Sequence, residues 1–176
     1  DSELAIANTL AAVRQGAVHV QGTINGYGER CGNANLCSIL PNLELKMGYT
    51  CLPEGHLAKL TTLARTVAEI ANMAPNNGAA YVGKSAFAHK GGMHAAAVRR
   101  NMASYQHIEP ALVGNEPRVL VSDLSGRGNM LTKAEQYGLD LSSDDAQTVL
   151  GMVKELESQG FVFEGAEASV TMLMRR

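Results

Sequence analysis

Residues 22–36 read GTINGYGERCGNANL, a loop with four glycines among polar side chains. The preceding residues 17–21 (AVHVQ) alternate and include β-branched side chains, so they predict a short strand. Helical periodicity follows over 33–43, where Pro41 must end or bend the helix. A helical run over 4–13, with Asp1 or Ser2 as its predicted N-cap, comes before the strand. This order of helix, strand, loop and helix indicates a barrel or a layered α/β fold.

The remainder of the chain predicts mostly helix. The cluster PNNG at 75–78 is typical of a boundary, and RVLV at 118–121 predicts a short strand. Ser142 or Ser143 is the expected N-cap of the next-to-last helix, which Gly160 should end. The predicted helices after the loop helix cover 57–73, 130–137, 144–158 and 165–174.

Composition limits the classes of function. The chain has 176 residues, 45% of them apolar and 18% charged, which suits a folded domain with or without a small appendage. A net charge of −2 excludes nucleic-acid binding through bulk positive charge, and the apolar stretches are too short to span a membrane. Three cysteines, an odd number, favour free thiols in a reducing cytoplasm over a secreted disulfide scaffold. A start at Asp1 within a helical turn indicates a piece of a longer protein.

The glycine-rich loop allows two interpretations. Its spacing, G-x-G-x-x-x-G, is one residue longer than the dinucleotide fingerprint, and no P-loop lysine follows. A nucleotide-binding α/β domain is therefore only a third alternative. The loop is either a cradle in which Asn25, Glu29, Arg30 and Asn33 meet a ligand, or a tight turn whose Glu29 and Arg30 pair with neighbours.

A second polar cluster reads AFAHKGGMHAAA at 86–97. His89 and His94 are five residues apart, so they do not share a helix face as a zinc-binding pair would. Histidine titrates near neutral pH and suits proton transfer. Tyr105 follows His94 by eleven residues, about 16 Å along an unbroken helix, which is too far for a shared proton. The two can cooperate only if the chain folds back after Asn101 or if they meet across a subunit interface.

Two further groups of residues predict structure rather than chemistry. Cys31, Cys37, Cys51 and His56 have spacings that match no ordinary zinc pattern, so buried free thiols are expected. The segment SDLSGRGN at 122–129 could hold an anion, but a capped turn explains it fully.

Three motifs together carry a resemblance. GTINGYGERCGNANL at 22–36 and AFAHKGGMHAAA at 86–97 resemble the 2-isopropylmalate, homocitrate and citramalate synthase family. VLVSDLSGR at 119–127 is most similar to its citramalate synthase-type branch. The resemblance implies a mostly helical α/β fragment. Its parts would be the end of a (β/α)8 barrel (1–48: helix 7, strand 8, helix 8), a helical connector (49–78) and small α-rich linker subdomains (79–176).

The resemblance also implies an activity. Family members condense acetyl-CoA with a 2-oxo acid, here pyruvate or 2-oxoisovalerate, and hydrolyse the thioester. The product is citramalate or 2-isopropylmalate, on the way to branched-chain amino acids. A divalent metal (Mg, Mn or Zn) binds the 2-oxo acid, and its histidine and aspartate ligands would lie before Asp1.

Site residues follow from the same resemblance. Asn33 matches the metal-associated asparagine, while His94 and Tyr105 match a proton-transfer pair. In the family this pair reaches from the linker of one subunit into the barrel of another, which implies a homodimer. Glu29 would lie at the barrel mouth as a supporting catalytic residue. The resemblance assigns no role to His89 or Lys90.

Two expectations concern the chain by itself. Without most of a barrel it should be catalytically inactive, and its apolar barrel-facing surface should be covered by another copy. The rival interpretation, from a different class of protein, is a non-catalytic helical module for dimerisation or regulation.

Overall fold

A computed structural model describes residues 1–89, 91, 97, 101 and 104–176, and these residues form two compact units. The first unit comprises Asp1–Phe87 and Ile108–Glu116, and the second Ala88–His107 and Pro117–Arg176. As predicted, the described part is mostly helical, and its one sheet has two short strands. None of its helices is long and apolar enough to cross a membrane.

The first unit is built from three α-helices and connecting turns. Helix α2 (Leu36–Pro41) is followed directly by a π-helical turn, and helix α3 (Leu60–Ile70) is preceded by a 3₁₀ turn. The helices are α1 (Ala5–Arg14), α2 (Leu36–Pro41) and α3 (Leu60–Ile70), and the short turns are Ile24–Gly26, Asn42–Lys46, Leu57–Lys59 and Pro110–Val113.

Helix α2 begins and ends where local chemistry requires. The Asn35 side chain accepts a hydrogen bond from the Cys37 amide at 2.9 Å and so caps the helix, three residues later than the periodicity predicts. Pro41 ends the α-helical geometry, because its ring lacks the N–H that would continue the ladder. The backbone then widens into the π-helical turn, so the predicted bend at Pro41 is confirmed.

The core of the first unit lies between α2, α3 and the returning segment 108–116. The Thr61 hydroxyl donates to the Val113 carbonyl at 2.7 Å, and the side-chain Nδ2 of Asn115 donates to the Tyr81 carbonyl at 2.9 Å. These buried bonds tie the returning segment to the unit. The core residues are Cys37, Leu57, Leu60, Ala64, Tyr81, Val82, Phe87 and Val113.

The first twenty residues differ from prediction. Helix α1 starts at Ala5 after Leu4, without a side-chain cap, so Asp1 and Ser2 are not its N-cap. Gly16, which follows α1, takes a left-handed conformation at φ +105°. Residues 17–21 form no strand, and Val18 is fully exposed. A strand needs a hydrogen-bonded neighbour, and no other part of the described chain pairs with this segment.

Over residues 117–176, which are all described, the second unit packs three helices beside a two-stranded parallel sheet whose first strand is residues 88–89. Strand β1 (Ala88–His89) pairs with β2 (Arg118–Val119), with Ala88 opposite Arg118. The helices are α4 (Arg127–Gln136), α5 (Ser143–Ser158) and α6 (Glu167–Met174). Ser142 caps α5 by accepting from the Asp145 amide at 3.1 Å, which confirms one of the two predicted caps. Its core residues are Val121, Met130, Ala134, Ala146, Val149, Leu150, Val153, Phe163, Val170 and Met174.

The three cysteines are free thiols. The expectation of burial is right for Cys37 and wrong for Cys31 and Cys51, whose side chains are exposed. Cys31 lies on the exposed loop and Cys51 follows a surface turn, whereas Cys37 is held inside by the first turn of α2. Burial raises the pKa of the Cys37 thiol.

Candidate functional site

The glycine-rich loop folds back on itself so that its two ends lie side by side. The Thr23 amide donates to the Ala34 carbonyl, and the Leu36 amide donates to the Thr23 carbonyl, each at 2.9 Å. The Thr23 hydroxyl spans the loop from inside, donating to the Tyr27 carbonyl at 2.7 Å. The loop therefore presents its tip, residues 28–33, to solvent on a closed and hydrogen-bonded base.

Asn25 connects the closed end of the loop to helix α3 through a side-chain hydrogen bond. Asn25 has a left-handed backbone conformation (φ +61°), which asparagine tolerates better than most residues. Its Nδ2 donates to the Ala64 carbonyl at 2.8 Å, and its Oδ1 accepts from the Cys37 thiol at 3.6 Å. Asn25 thus links the loop to both packed helices of the first unit, a role that sequence spacing alone does not predict.

Two glycines allow close approaches within the loop. A Cβ on Gly22 would lie 2.4 Å from the Ala34 carbonyl oxygen, so a side chain there would break the closure of the base. A Cβ on Gly28 would lie 2.3 Å from Nδ2 of Asn33. Gly28 therefore leaves room for one specific side chain, the carboxamide of Asn33.

Glu29 and Asn33 line the same open depression at the loop tip, together with Asp1, Arg30 and Gly32. Asn33 Nδ2 donates to the Tyr27 carbonyl at 2.9 Å, which fixes the carboxamide and leaves Oδ1 as the atom available to a ligand. Arg30 pairs with the Asp1 carboxylate, so for Arg30 the predicted pairing with a neighbour is confirmed. The structure thus brings together two of the four predicted site residues.

The donor atoms of this depression suit a hard divalent cation. Asn33 Oδ1 and the Glu29 carboxylate are oxygen donors, which magnesium and manganese prefer. Among the described residues no group of three His, Cys, Asp or Glu side chains is placed to hold a metal ion. These two oxygen donors, from Asn33 and Glu29, are fewer than such a cation requires.

The other two predicted site residues belong to the second unit. His94 lies outside the described residues, as does Lys90. Tyr105 is described, and 53% of its surface is exposed. The amide and the hydroxyl of Ser104 both bond to the Asn101 carbonyl, at 3.0 and 2.7 Å, and hold the backbone just before Tyr105.

The segment 122–129 is a closed turn. Ser125 Oγ accepts from the Ser122 amide at 2.9 Å and lies 3.2 Å from the Leu120 carbonyl, to which it donates. Asn129 is buried beside it, with Nδ2 3.5 Å from Ser125 Oγ. These bonds close the turn as predicted, but Gly126 begins α4 without a side-chain cap, so the turn is not a capped one.

The sequence analysis missed a polar cluster in the second unit. Glu167 accepts hydrogen bonds from Arg118 at 2.8 Å, Tyr137 at 2.8 Å and Lys133 at 3.3 Å. The Tyr137 hydroxyl and the Arg118 guanidinium lower the pKa of the Glu167 carboxyl to about 2. Burial and the bond to Glu167 raise the pKa of Tyr137 to about 12. The one local signal was the four-residue spacing of Lys133 and Tyr137 on a helix face.

Two family models together match nearly the whole chain, and the similar proteins are synthases. The family model described as HMGL-like matches residues 1–73, and the model described as homocitrate synthase post-HMGL domain-like matches residues 81–160. An (R)-citramalate synthase from Geobacter sulfurreducens is 57% identical over all of this chain and 34% of its own length. The (R)-citramalate synthase of Synechocystis is 55% identical over all of this chain and 32% of its own length.

A 2-isopropylmalate synthase from Bacillus anthracis is more distant, 36% identical over 89% of this chain and 31% of its own length. The chain thus spans about a third of the length of the curated relatives that it matches.

Proposed function

Because the chain belongs to the 2-isopropylmalate, homocitrate and citramalate synthase family, we propose that it forms part of a metal-dependent acyltransferase. The reaction joins the methyl carbon of acetyl-CoA to the ketone of a 2-oxo acid, either pyruvate or 2-oxoisovalerate, and hydrolyses the thioester. The product is citramalate or 2-isopropylmalate, for isoleucine or leucine biosynthesis in the cytoplasm. The observation that carries this proposal is the closed loop of residues 22–36, which holds Glu29 and Asn33 at one depression.

We place the chain at the end of the synthase's catalytic region. Residues 1–48 would end the (β/α)8 barrel, 49–78 would connect, and 79–176 would form the linker subdomains. The exposure of α1, which buries none of its residues, and of residues 17–21 supports this placement. In a complete barrel these residues would gain neighbouring strands and helices, and 17–21 would pair as the eighth strand.

Asn33 is the metal-binding residue that this chain contributes. A divalent cation bound there would polarise the ketone of the 2-oxo acid. Asn33 offers it Oδ1, because the bond from Nδ2 to the Tyr27 carbonyl turns the oxygen outward. Glu29 lies on the same loop tip and supports the polar environment of the bound acid.

His94 and Tyr105 are the proton-transfer residues in this proposal. Condensation requires that a proton leave the acetyl methyl group and that another reach the new alkoxide. An imidazole can do either near neutral pH, and a phenol hydroxyl can donate to the developing oxyanion. Both groups lie in the linker part, so we propose that they serve the barrel of a partner subunit in a homodimer.

The isolated chain should not turn over acetyl-CoA. Among its described residues no three His, Cys, Asp or Glu side chains are placed to hold a metal with Asn33, so the 2-oxo acid would lack a Lewis acid. We expect no CoA release above background when the purified chain is incubated with acetyl-CoA, pyruvate and magnesium. Measurable release of CoA that depends on pyruvate would contradict the proposed division of the site.

The role of Asn33 can be tested through Gly28 in a synthase of family length that contains this chain, called the full-length synthase below. In Gly28→Ala the new methyl group would overlap Asn33 Nδ2 and turn that flexible carboxamide away. Affinity for the divalent metal should then fall about tenfold, as it does when groups that orient a metal ligand are removed.

Gly78→Ala is the matched control, since its added methyl group would meet only Asn76 Oδ1 at an ordinary 3.5 Å. Metal titration of both variants, with their thermal unfolding midpoints measured in parallel, gives the comparison. Equal metal affinity in Gly28→Ala and Gly78→Ala would remove Asn33 from the ligand set.

A further inference from the structure

Two polar side chains of the second unit connect the backbone that leads to His94 with the backbone that carries Tyr105. His89 Nε2 and Gln106 Nε2 are 3.4 Å apart. His89 ends strand β1 and precedes His94 by five residues, whereas Gln106 directly follows Tyr105. Gln106 is 7% exposed, so the contact lies inside the unit.

The His89 end of this contact is anchored. The Leu120 amide donates to the His89 carbonyl at 2.9 Å, and β1 pairs with β2 in parallel register. Arg118 of β2 is in turn bound by Glu167 of α6 at 2.8 Å. The backbone of His89 is therefore fixed on the hydrogen-bonded frame of the second unit.

The contact between His89 and Gln106 needs one donor and one acceptor. When two nitrogens form a hydrogen bond, one of them must be the acceptor. As the Gln106 carboxamide is placed, its Nε2 donates and the Nε2 of His89 is the acceptor. This leaves Gln106 Oε1 buried and without a hydrogen-bond partner among the described residues. A buried unpaired acceptor is rare and calls for a functional explanation.

We propose that Gln106 is a positioning residue for the condensing reaction, which holds the backbone of Tyr105 at the end of strand β1. The inference rests on the proposed function of His94 and Tyr105. The Gln106 side chain holds the Tyr105 backbone against the end of β1. Gln106 touches no reacting atom; it acts through the placement of Tyr105.

The test is Gln106→Met in the full-length synthase. Methionine has a similar unbranched shape and no hydrogen-bonding nitrogen or oxygen, so packing is kept while the contact with His89 is lost. We expect kcat to fall at least about tenfold, since small errors in the placement of reacting groups are costly. The KM for the 2-oxo acid should stay within about twofold, because that substrate binds in the barrel. Glu109→Gln, an exposed change on the same loop, is the control and should alter neither constant.

Further measurements separate positioning from a structural role. The unfolding midpoint and the dimer should be unchanged in Gln106→Met, and His89→Leu combined with it should lower kcat no further than either change alone. Gln106→Leu replaces Gln106→Met if the latter does not fold. An unchanged kcat, or a kcat that falls only with the unfolding midpoint, would overturn the inference. If His94→Ala abolishes turnover while Gln106→Met does not, only this inference fails; if His94→Ala is fully active, the proposed function fails with it.

Discussion

Replacement of His94 by alanine in the full-length synthase is expected to lower kcat by about 10²–10⁴-fold, the usual contribution of a positioned proton-transfer group. Alanine removes the imidazole and leaves no group of similar pKa in its place. The homodimer should persist, because dimerisation rests on burial of larger apolar surfaces than one histidine offers. Steady-state kinetics and light scattering on the same preparation measure the two effects.

The same variant separates the synthase proposal from the rival one. For a non-catalytic dimerisation or regulatory module, His94→Ala should alter assembly while chemistry persists. His56→Ala is the matched control, since His56 is exposed and hydrogen-bonds only locally, to the Glu54 carbonyl at 3.3 Å. Near-normal kcat in His94→Ala, together with a changed oligomer, would favour the rival interpretation.

Glu167→Gln should lower the free energy of unfolding of the second unit by about 2 kcal/mol. The change removes the carboxylate charge that faces both Arg118 and Lys133, and Lys133 keeps only 7% of its side chain exposed. Loss of one partner of a buried ion pair costs about 3–5 kcal/mol. We expect about 2 kcal/mol, less than this full cost, because the Glu167 side chain is 37% exposed and partly screened by water.

The pH dependence gives this prediction its sign. The folded pKa of Glu167, about 2, lies below the ordinary 4.5, so the carboxylate stabilises the fold above pH 4.5. That contribution is lost as the pH falls from 4.5 towards 2. Urea unfolding of the chain, followed by circular dichroism, should show a smaller loss over this range in Glu167→Gln. Glu135→Gln, an exposed change on α4, should match the unaltered chain at every pH, and identical midpoints in all three proteins would contradict the prediction.

Local chemistry made several elements predictable from the sequence. Ser142 caps α5, Pro41 ends α2 and Gly16 follows α1 in a left-handed conformation, each because of residues within one turn. The absence of a strand at residues 17–21 was not predictable in this way. Their alternation is typical of a strand, but a strand also requires a partner, and the described chain provides none.

The candidate site was likewise predictable where it depends on local sequence and not where it depends on distant contacts. The motif of residues 22–36 predicts Glu29 and Asn33 as site residues, and both line one depression in the structure. The bond from Asn25 to Ala64 and the convergence of Arg118, Lys133 and Tyr137 on Glu167 join residues that are far apart in the sequence. Such contacts depend on how helices pack, which periodicity within each helix does not specify.

We propose that His94 of one subunit completes the site that contains Asn33 in the partner subunit. Mixing the His94→Ala and Asn33→Ala forms of the full-length synthase, with subunit exchange, tests it most directly. About half of the randomly formed dimers should be mixed, and each would hold one intact site, so about a quarter of the unmutated activity should return. Activity that stays at the level of the two separate variants, with mixed dimers demonstrably present, would contradict the claim.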